Sequence, residues 1–364
     1  MTAQHIVIAM QDFFRGGTER VALDLAARWS VLGRDVTILC GSEEGGLRSA
    51  VSPAVRVVPL APPIRRSLVS RLRLGPAMAR PLAQLRPDLV FLPGNFHLPL
   101  APAPGTLNPR PVIAMKVSNP PVPQGLAGPL VAPFFRHFAR RVDGFAAMNG
   151  GLGRETARLV GAKSIVTLYD PVQVGTVPDH APRTDAPCQI VWIGRLEPQK
   201  DVELALRSFR ALLRDTPAHL TLLGDGALAD RTDRQIRELG LQNSVTRHGH
   251  VPEVASHLAS ADMLLVTSRY EGGPAVAVEA LALGTPVVTT DCSHLLREVM
   301  TVPEAGRIVP SRAPQELAAA MRQVAQAPRP PRAMLQGLAT KFEPDHCAQA
   351  YLDWFDALAG SRVG

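Results

Sequence analysis

Cysteine is scarce in this chain, with four in 364 residues, at Cys40, Cys188, Cys292 and Cys347. None stands in a C-x-x-C pair or at another spacing typical of metal ligands, so the sequence predicts no cysteine metal site. Three of the four stand at or near the ends of apolar runs. That position predicts reduced thiols in a protein core, in a reducing compartment.

Long apolar runs are also missing. No stretch reaches the roughly 18 consecutive apolar residues that cross a membrane, and the N-terminus is too short and uncharged before its first apolar run for a secretory leader. We therefore expect a cytoplasmic protein, or one that is peripheral at the inner face of the membrane. No D-x-D triplet occurs, so we predict no metal. No G-x-G-x-x-G follows the first apolar run, which disfavours an NAD-dependent dehydrogenase.

Acidic residues are absent between Glu44 and Asp88. Residues 1–182 carry 20 Lys and Arg against 11 Asp and Glu, a net of +9, whereas residues 183–364 carry 19 against 21. The excess concentrates in a stretch from Arg65 to Arg86 that alternates arginines with leucine, valine and methionine, as a broken basic amphipathic helix would. This surface suits anionic lipid headgroups or an acidic acceptor, and a solvated basic face is the plain alternative. Aromatic residues do not alternate with the arginines, so we predict no nucleic-acid partner.

What is present is a regular alternation of short apolar runs and helical segments. In the first half, strands are predicted at HIVIAM, DVTILC, VRVVPL, DLVFLP, PVIAMKV, GFAAMN and SIVTLY. In the second half, strands are predicted at CQIVWIG, HLTLLGDG, VTRHGH, DMLLVTS, PVVTTD and GRIVP. Parallel strands separated by helices make a doubly wound sheet. The predicted fold class is α/β, with two doubly wound Rossmann-like domains that face a cleft.

The Pro-rich, polar segment 170–187 predicts an interdomain linker. The domains are expected at 1–182 and 183–341, and 342–364 is expected to form a C-terminal helix that packs back on the first domain. In the first helix, TERVALDLAARWSVLG, Thr18 is the predicted N-cap and Gly33 the glycine just past the end.

The most informative stretch is RYEGGPAVAVEALALGTPVVTTD, residues 269–291, with Glu271 and Glu279 eight positions apart around a glycine pair and a proline. It predicts a strand, a Gly-rich turn and a helix, and the free amides of a helix start form an anion site. Two glutamates on one helix are usually solvated. Here, however, Glu279 stands among apolar residues, where an unpaired carboxylate is costly.

Three further clusters follow predicted strands of the second half. Arg195 and Lys200, in IGRLEPQKD, can clamp a diphosphate, although loop cations are mostly solvated. The glycines of LLGDG allow close backbone approach to a flat ligand, or form a plain turn. RHGH, residues 247–250, is a candidate wall of a base-binding slot. Their occurrence in order, each at a strand end, is more specific than any one of them.

On these residues the chain resembles the retaining glycosyltransferases of family 4, group 1, with the GT-B fold. The resembling stretches are VWIGRLEPQKDVELALRSF, LTLLGDGALADRTDRQIRELGLQNSVTRHGH, EGGPAVAVEALALGTPVVTTD and GGTERVALDLAARWSVLGRDVTIL. The resemblance implies a donor that is a nucleoside-diphosphate sugar, with UDP or GDP, and no further cofactor. It also implies transfer with retention and no metal, to a glycan or lipid-linked acceptor in cell-envelope polysaccharide or glycoconjugate synthesis.

The resemblance also implies roles for residues. Arg195 and Lys200 would hold the diphosphate, and Glu271 would contact the transferred sugar; these three are the predicted catalytic residues. Glu279 would bond the ribose. The other predicted donor-binding residues are Gly16, Gly17, Gly194, Gly224, Asp225, Gly226, Gly272, Gly273, Pro274 and Ala275.

The acceptor side departs from the family pattern. Where many members carry a histidine after a strand of the first domain, AMKVSNPP offers Lys116, Ser118 and Asn119, and His97 is another candidate. Asp170 stands where an NPV-like motif usually supplies asparagine. Two rival functions stay open: a nucleotide-sugar epimerase on the same scaffold, and a non-catalytic subunit that binds the nucleotide sugar.

Overall fold

The structure is a computed structural model of the chain. It describes residues 2–14, 16–67, 69–123, 128–161, 163–175 and 187–361. These residues divide into two compact units, one formed by Met1–Pro171 together with Glu343–Gly364 and the other by Val172–Phe342. The predicted boundary between residues 182 and 183 lies outside the described residues.

The first unit is a parallel sheet with helices between its strands. Its strands are β1 (His5–Met10), β2 (Asp35–Cys40), β3 (Arg56–Pro59), β4 (Leu89–Leu92), β5 (Val112–Val117), β6 (Gly144–Ala147) and β7 (Ser164–Thr167). Its helices are α1 (Gly17–Val31), α2 (Ser70–Leu85), α3 (Pro102–Gly105), α4 (Gly128–Ala139), α5 (Gly150–Val160) and, from the C-terminus, α13 (Pro344–Gly360). The strand order is β3-β2-β1-β4-β5-β6-β7, a doubly wound arrangement.

The second unit repeats this plan. Its strands are β8 (Cys188–Ile193), β9 (Ala218–Leu223), β10 (Val245–Arg247), β11 (Met263–Val266), β12 (Val287–Thr290) and β13 (Gly306–Val309). Its helices are α6 (Val202–Leu212), α7 (Ala229–Glu238), α8 (Ala255–Ser260), α9 (Ala275–Ala282), α10 (His294–Val299), α11 (Pro314–Gln326) and α12 (Arg332–Ala339). The parallel strands run in the order β10-β9-β8-β11-β12-β13. The predicted fold class of two doubly wound sheets is thereby confirmed.

The buried faces follow the alternation of side chains along each strand. In β5, Ala114 packs on the face covered by α1 and α13, while Ile113 and Met115 pack on the opposite face under α2 and α4. Every residue of β5 is buried, as expected for a central parallel strand covered on both sides. The consequence for function is that polar groups collect at the strand ends.

Helix α13 belongs to the core of the first unit, although it is last in the sequence. Trp29 of α1 donates a hydrogen bond from Nε1 to the carbonyl of Ala348 at 3.1 Å, and its ring packs edge-on against Phe355 at 5.1 Å. Tyr351 is fully buried in the same aromatic group. A seventeen-residue helix thus covers one face of a sheet that begins more than three hundred residues earlier.

The ends of α1 show one wrong prediction and one correct one. Helix α1 begins at Gly17 with Gly16 at the N-cap position and no side-chain cap, so Thr18 is not the cap. The C-terminal prediction is confirmed, since the helix ends at Val31 and Gly33 follows with φ of +86°. A side chain rarely adopts that left-handed backbone, and glycine does so without strain.

The part of the chain that the structure describes contains no helix long and apolar enough to cross a membrane. The cysteines are free, and Cys40, Cys292 and Cys347 are buried, as predicted for core thiols. Burial raises the pKa of Cys40 to about 12, so its thiol stays protonated at neutral pH.

Candidate functional site

The centre of the candidate site is an ion pair between Lys200 and Glu271. Lys200 Nζ lies 2.6 Å from Glu271 Oε1, and the side chains keep 20% and 10% of their surface exposed. Lys200 follows β8 and Glu271 follows β11, which is the neighbour of β8 in the sheet. Because parallel strands end at the same edge, residues 71 positions apart meet there. The structure thus brings together two of the three residues predicted to be catalytic.

Backbone bonds join the loops that carry this pair. The amide of Arg269 donates to the carbonyl of Gln199 at 2.8 Å, and the side-chain amide of Gln199 donates to the carbonyl of Tyr270 at 3.0 Å. On the other side, the amide of Glu271 donates to the carbonyl of Cys292 at 2.7 Å. These bonds fix the spacing of Lys200 and Glu271 through the main chain.

Glycines form a backbone surface beside Lys200. The aliphatic stem of Lys200 crosses Gly194, where an added Cβ would lie 3.3 Å from the lysine Cγ. Gly224 has φ of +142°, and a Cβ there would lie 1.9 Å from the carbonyl oxygen of Gly194. Only glycine fits at such a separation. Gly226 is equally constrained, at φ of +156°, while the intervening Asp225 is exposed and bonds to the Gly226 amide.

The Gly-rich turn after Glu271 leads directly into α9. Pro274 is at the N-cap position and Ala275 is the first helical residue. The first amides of a helix have no partners within the helix and attract negative charge. The backbone of Gly272 is held by Ser293, whose Oγ donates to the Gly272 carbonyl at 3.0 Å. Gly273 is half-buried. The sequence-based prediction of a strand, a turn and a helix is confirmed here.

Glu279 lies within α9, half-buried between the buried residues Val278 and Ala280. It therefore occupies the same helix whose first turn adjoins Glu271. Its burial is consistent with the prediction that it is not a freely solvated surface carboxylate.

The other predicted cations of this unit are paired differently. Arg195 has two thirds of its side chain exposed and contacts Glu197 at 2.6 Å, away from the Lys200 pair. Arg247, of the RHGH cluster, makes two bonds to Asp233, at 2.7 and 2.8 Å. The Asp233 partner holds the pKa of Arg247 above its usual value. Lys200 is thus the cation that the structure brings to Glu271.

Sequence reasoning missed three residues that support the site. Ser268 Oγ donates to Glu271 Oε1 at 2.7 Å. Arg312 donates to the carbonyls of Thr267 and Ser268, both at 3.0 Å, and to the Asp201 carboxylate at 2.6 Å. Asp201 has φ of +49° and caps α6 through Leu204. Small polar residues at the end of β11 were the available indication for Ser268, whereas Arg312 is distant in sequence from everything it touches.

In the first unit, the predicted donor-side glycines open α1. Gly16 is its N-cap, and an added Cβ there would lie 2.3 Å from Glu19 Oε2. Gly17 is exposed, with nothing near its missing Cβ. A Cβ on Gly94, after β4, would lie 2.7 Å from Thr18 Cγ2 and 3.2 Å from Ser118 Oγ. The ends of β4 and β5 therefore meet the start of α1.

Lys116, predicted as an acceptor-side residue, is internal and paired. Its side chain is 1% exposed and its Nζ lies 2.6 Å from the Asp170 carboxylate. It follows the strand alternation of Ala114 and so points to the face covered by α1 and α13. The two departures from the family pattern are partners of each other.

His97, another predicted acceptor-side residue, is also internal. It is 1% exposed, and neither ring nitrogen has a hydrogen-bond partner among the described residues. Burial, with a smaller contribution from Arg66, lowers its pKa to about 3, so the ring is neutral. Of the predicted acceptor-side residues, Asn119 is exposed and Ser118 is at the edge of burial.

The basic stretch is not one free face. Helix α2 places Leu74, Met78 and Leu82 in the core, as the amphipathic pattern predicts. Arg65 is paired with Glu44 at 2.7 Å, and Arg66 with Asp12 and Glu19. Arg71 lies on the ring of Phe96. All six arginines are exposed, and among the described residues Arg73, Arg80 and Arg86 have no ion-pair partner.

Two family models match this chain and together cover most of it. The model described as Glycosyltransferase Family 4 matches residues 15–174, and the model described as Glycosyl transferases group 1 matches residues 180–339. The chain belongs to the group 1 glycosyltransferases. The second match contains the whole of the Lys200–Glu271 site.

A curated relative aligns with part of this chain. The lipopolysaccharide 1,6-galactosyltransferase of Salmonella typhimurium is 31% identical over 166 residues, which are 43% of this chain and 45% of the relative. The chain thus aligns with less than half the length of that relative.

Solved structures extend the likeness to the whole fold. The apo form of the lipopolysaccharide outer core galactosyltransferase WaaB superposes with a TM-score of 0.77 at 18% identity, covering 98% of this chain and 99% of that one. The HepE protein of Anabaena, solved in complex with UDP, has a TM-score of 0.72 at 16% identity, covering 99% and 98%. At these identities the likeness concerns the fold, which is that of GT-B glycosyltransferases.

Proposed function

We propose that this glycosyltransferase family member transfers a sugar from a nucleoside-diphosphate sugar to a glycan or lipid-linked acceptor in cell-envelope polysaccharide or glycoconjugate synthesis. The observation that carries the proposal is the Lys200–Glu271 pair at the carboxyl edge of the second sheet, beside the start of α9. An ammonium, a carboxylate and free helix amides are the groups that a sugar diphosphate requires.

Lys200 is suited to the diphosphate. Its ammonium has three donors, of which Glu271 takes one, so a phosphate oxygen can be added without breaking the pair. The amides that open α9 supply further positive potential. As the bond to the diphosphate breaks, negative charge grows on the leaving oxygen, and these fixed groups stabilise it. Arg195 joins them by turning from Glu197, which its exposed position permits.

Glu271 is assigned to the transferred sugar. One carboxylate oxygen is held by Lys200 and Ser268, which fixes the orientation of the other. A carboxylate held in this way suits acceptance of hydrogen bonds from sugar hydroxyls. Glu279, further along α9, is assigned to the ribose of the nucleotide.

We infer a same-face displacement with retention. The bond from the anomeric carbon to the diphosphate oxygen breaks, and its electron pair leaves with the diphosphate. The acceptor hydroxyl oxygen bonds to the same face of that carbon, and its proton passes to the leaving phosphate oxygen. This route needs no enzyme nucleophile, unlike that of retaining hydrolases. The donor charge is assigned to side chains and amides rather than to a metal, in keeping with a sequence that lacks a D-x-D triplet.

The nucleotide is proposed to be UDP or GDP. The HepE structure was solved with UDP, and the pneumococcal O-GlcNAc transferase GtfA, which has a TM-score of 0.74, was solved with UDP and GlcNAc. The envelope acceptor follows the Salmonella relative, whose name gives lipopolysaccharide.

The test is thermal unfolding against a panel of nucleoside diphosphates and their sugars. A ligand at about 100 times its Kd adds roughly 2.7 kcal/mol of stability, a clear shift. We expect nucleotides with one base to raise the unfolding temperature. In Lys200→Ala and in Glu279→Ala, at least a tenfold higher ligand concentration should be needed for the same rise. Arg207→Ala, which removes an exposed cation of α6 in the same unit, is the matched control and should keep the shift.

Each rival function predicts a different result. Isomerised sugar without any acceptor would indicate the epimerase. A donor-dependent shift with no transfer to any acceptor glycan would indicate the non-catalytic subunit. If no nucleotide shifts the unfolding temperature, the donor site itself is wrongly assigned.

A further inference from the structure

We propose that Arg71 and Phe96 form a binding site for an oxyanion in the first unit, and that this oxyanion belongs to the acceptor. The second half of this statement rests on the proposed function. The site itself rests on the geometry around the Phe96 ring.

Arg71 is held in place but has no acceptor for its hydrogen bonds. Its guanidinium carbon lies 3.5 Å from the centroid of the Phe96 ring. Contact through the flat face leaves the N–H donors at the edges of the guanidinium free. Within the described parts of the chain, no carboxylate lies within ion-pair distance of Arg71 and no group accepts a hydrogen bond from it. An ordered fork of donors is what a phosphate or carboxylate binds.

Arg66 is near the same ring but is already compensated. Its guanidinium carbon lies 4.8 Å from the centroid of Phe96. Its Nε and Nη2 donate to the two oxygens of Asp12 at 2.8 Å, and Nη2 also donates to Glu19 at 3.2 Å. The two carboxylates are therefore committed to Arg66, and no other carboxylate of the described residues serves as a counterion for Arg71.

The electrostatics of Arg71 favour an added anion. Partial burial, with a contribution from the Arg66 charge, lowers the pKa of Arg71 below its usual value. Both causes disfavour the charged guanidinium, and both are offset when an anion binds. His97, next to Phe96 in the chain, is neutral and adds no competing charge.

The position of the site agrees with a ligand role. Asp12 follows β1, Arg66 and Arg71 lie between β3 and the first turn of α2, and Phe96 follows β4. β1 and β4 are neighbours in the parallel sheet and β3 lies two strands from β1, so these residues follow strand ends on one edge, where open α/β sheets bind ligands. A solvated surface arginine needs neither the aromatic support nor this location.

The ligand class is a single group that presents two oxygens to one guanidinium. Two sources on a glycan acceptor supply it: a phosphate, in a sugar phosphate or lipid diphosphate, and the carboxylate of an acidic sugar. Inorganic pyrophosphate and glucuronate are probes that separate these sources.

The experiment is calorimetric titration of each probe into the intact protein carrying Lys200→Ala, which removes the proposed donor contribution. In that background, Arg71→Gln should weaken the binding of at least one probe tenfold or more. Arg73→Gln is the matched control, because Arg73 lies two residues away and is exposed like Arg71, but contacts no aromatic ring of the described residues. It should change binding less than twofold. Arg71→Lys should not restore binding, since an ammonium lacks the planar fork.

A second variant protects the test against a folding defect. Phe96→Leu keeps both arginines and removes only the ring, so it should weaken the same probe severalfold. Equal losses in Arg71→Gln and Arg73→Gln would overturn the proposal in favour of general surface charge. So would the absence of measurable binding of either probe before Arg71 is changed.

The outcome is separable from that of the proposed function. With Lys200 present, Arg71→Gln should leave the nucleotide-induced shift in unfolding temperature unchanged. If no nucleotide changes the unfolding temperature but pyrophosphate binding still depends on Arg71, the oxyanion site is supported and the proposed transfer reaction is not. If the nucleotide shift is present and neither probe depends on Arg71, the transfer reaction stands and this site falls.

Discussion

Two lysine–carboxylate pairs, one in each unit, have the same 2.6 Å separation and very different surroundings. Lys200 and Glu271 keep 20% and 10% of their side-chain surface exposed, whereas Lys116 and Asp170 keep 1% and 17%, so the difference lies in the lysines. Both lysines lie at or beyond the carboxyl half of a parallel strand. Lys200 comes after its strand has ended, and Lys116 comes before, so its side chain points into a covered face of the sheet.

The difference teaches which pair can serve a ligand. A partly exposed ammonium can add a phosphate oxygen while it keeps its carboxylate, because its remaining donors are accessible to solvent. A buried ammonium has no such access, and its removal leaves its half-buried carboxylate partner unpaired. We therefore expect mutations of the Lys116 pair to change stability, and mutations of the Lys200 pair to change ligand binding.

The largest expected effect is on stability. Lys116→Met should lower the free energy of unfolding by about 3 kcal/mol, because the half-buried Asp170 carboxylate loses the fully buried ammonium that pairs with it. Chemical denaturation followed by circular dichroism measures this. Lys116→Met with Asp170→Asn should recover much of the loss. A double variant as unstable as the single one would show that the cost comes from packing and not from the stranded charge.

The buried side of the comparison can also be probed by pH. The folded pKa of His97, about 3, lies below its usual 6.5, so the unfolded chain takes up a proton that the folded chain does not. The stability from this group is complete above about pH 6.5 and is lost as the pH falls towards 3. Between pH 7 and pH 5 we expect a loss of about 2 kcal/mol that is absent in His97→Gln. Parallel pH dependences of the two proteins would contradict it.

The accessible pair should show the reverse pattern. Lys200→Ala should weaken nucleoside-diphosphate binding about tenfold or more. The same change should lower the free energy of unfolding by less than Lys116→Met does, because Lys200 is itself partly exposed and Ser268 still donates to Glu271. Titration calorimetry and denaturation on the same protein give both numbers. A stability loss as large as that of Lys116→Met would remove the distinction between the two pairs.

The smallest effect tests the orientation of Glu271. Ser268→Ala removes one donor to Glu271 Oε1 and leaves Lys200 in place, so donor binding should weaken only about threefold. Thr290→Ala is a control on the neighbouring strand, since its hydroxyl donates to the Ser268 carbonyl and not to the glutamate. If both variants weaken binding equally, the effect is a general loosening of the strand ends.

Much of this fold could be predicted from sequence, because short buried strands and amphipathic helices are local patterns. Glu271 could be placed at a turn before a helix by the strand ADMLLVTS and the glycine pair that follows it. The contacts between side chains from different loops could not be predicted in the same way. Arg195 and Lys200 were expected to act together, and the structure pairs Arg195 with Glu197 instead.

The remaining relations are tertiary and leave no local trace. Lys116 and Asp170 were each noted as a departure from the family pattern, and only the sheet shows that they are 2.6 Å apart. Arg312 contacts residues more than forty positions away in the chain. The N-cap of α1 was predicted two residues too late. Thr18 is a residue type typical of N-caps, but the helix begins at Gly17 with Gly16 at the N-cap position.

The return of α13 to the first unit determines when that unit can be completed during synthesis. The first 171 residues emerge from the ribosome without the helix that covers Trp29, and Val172–Phe342 must be translated before it appears. Domains generally fold as they are synthesised, so here the order is inverted: the segment encoded in the middle is the first that can be finished. The nascent chain carries an open aromatic face until α13 is made, and a stop codon between α12 and α13 would leave the beginning of the protein unfinished.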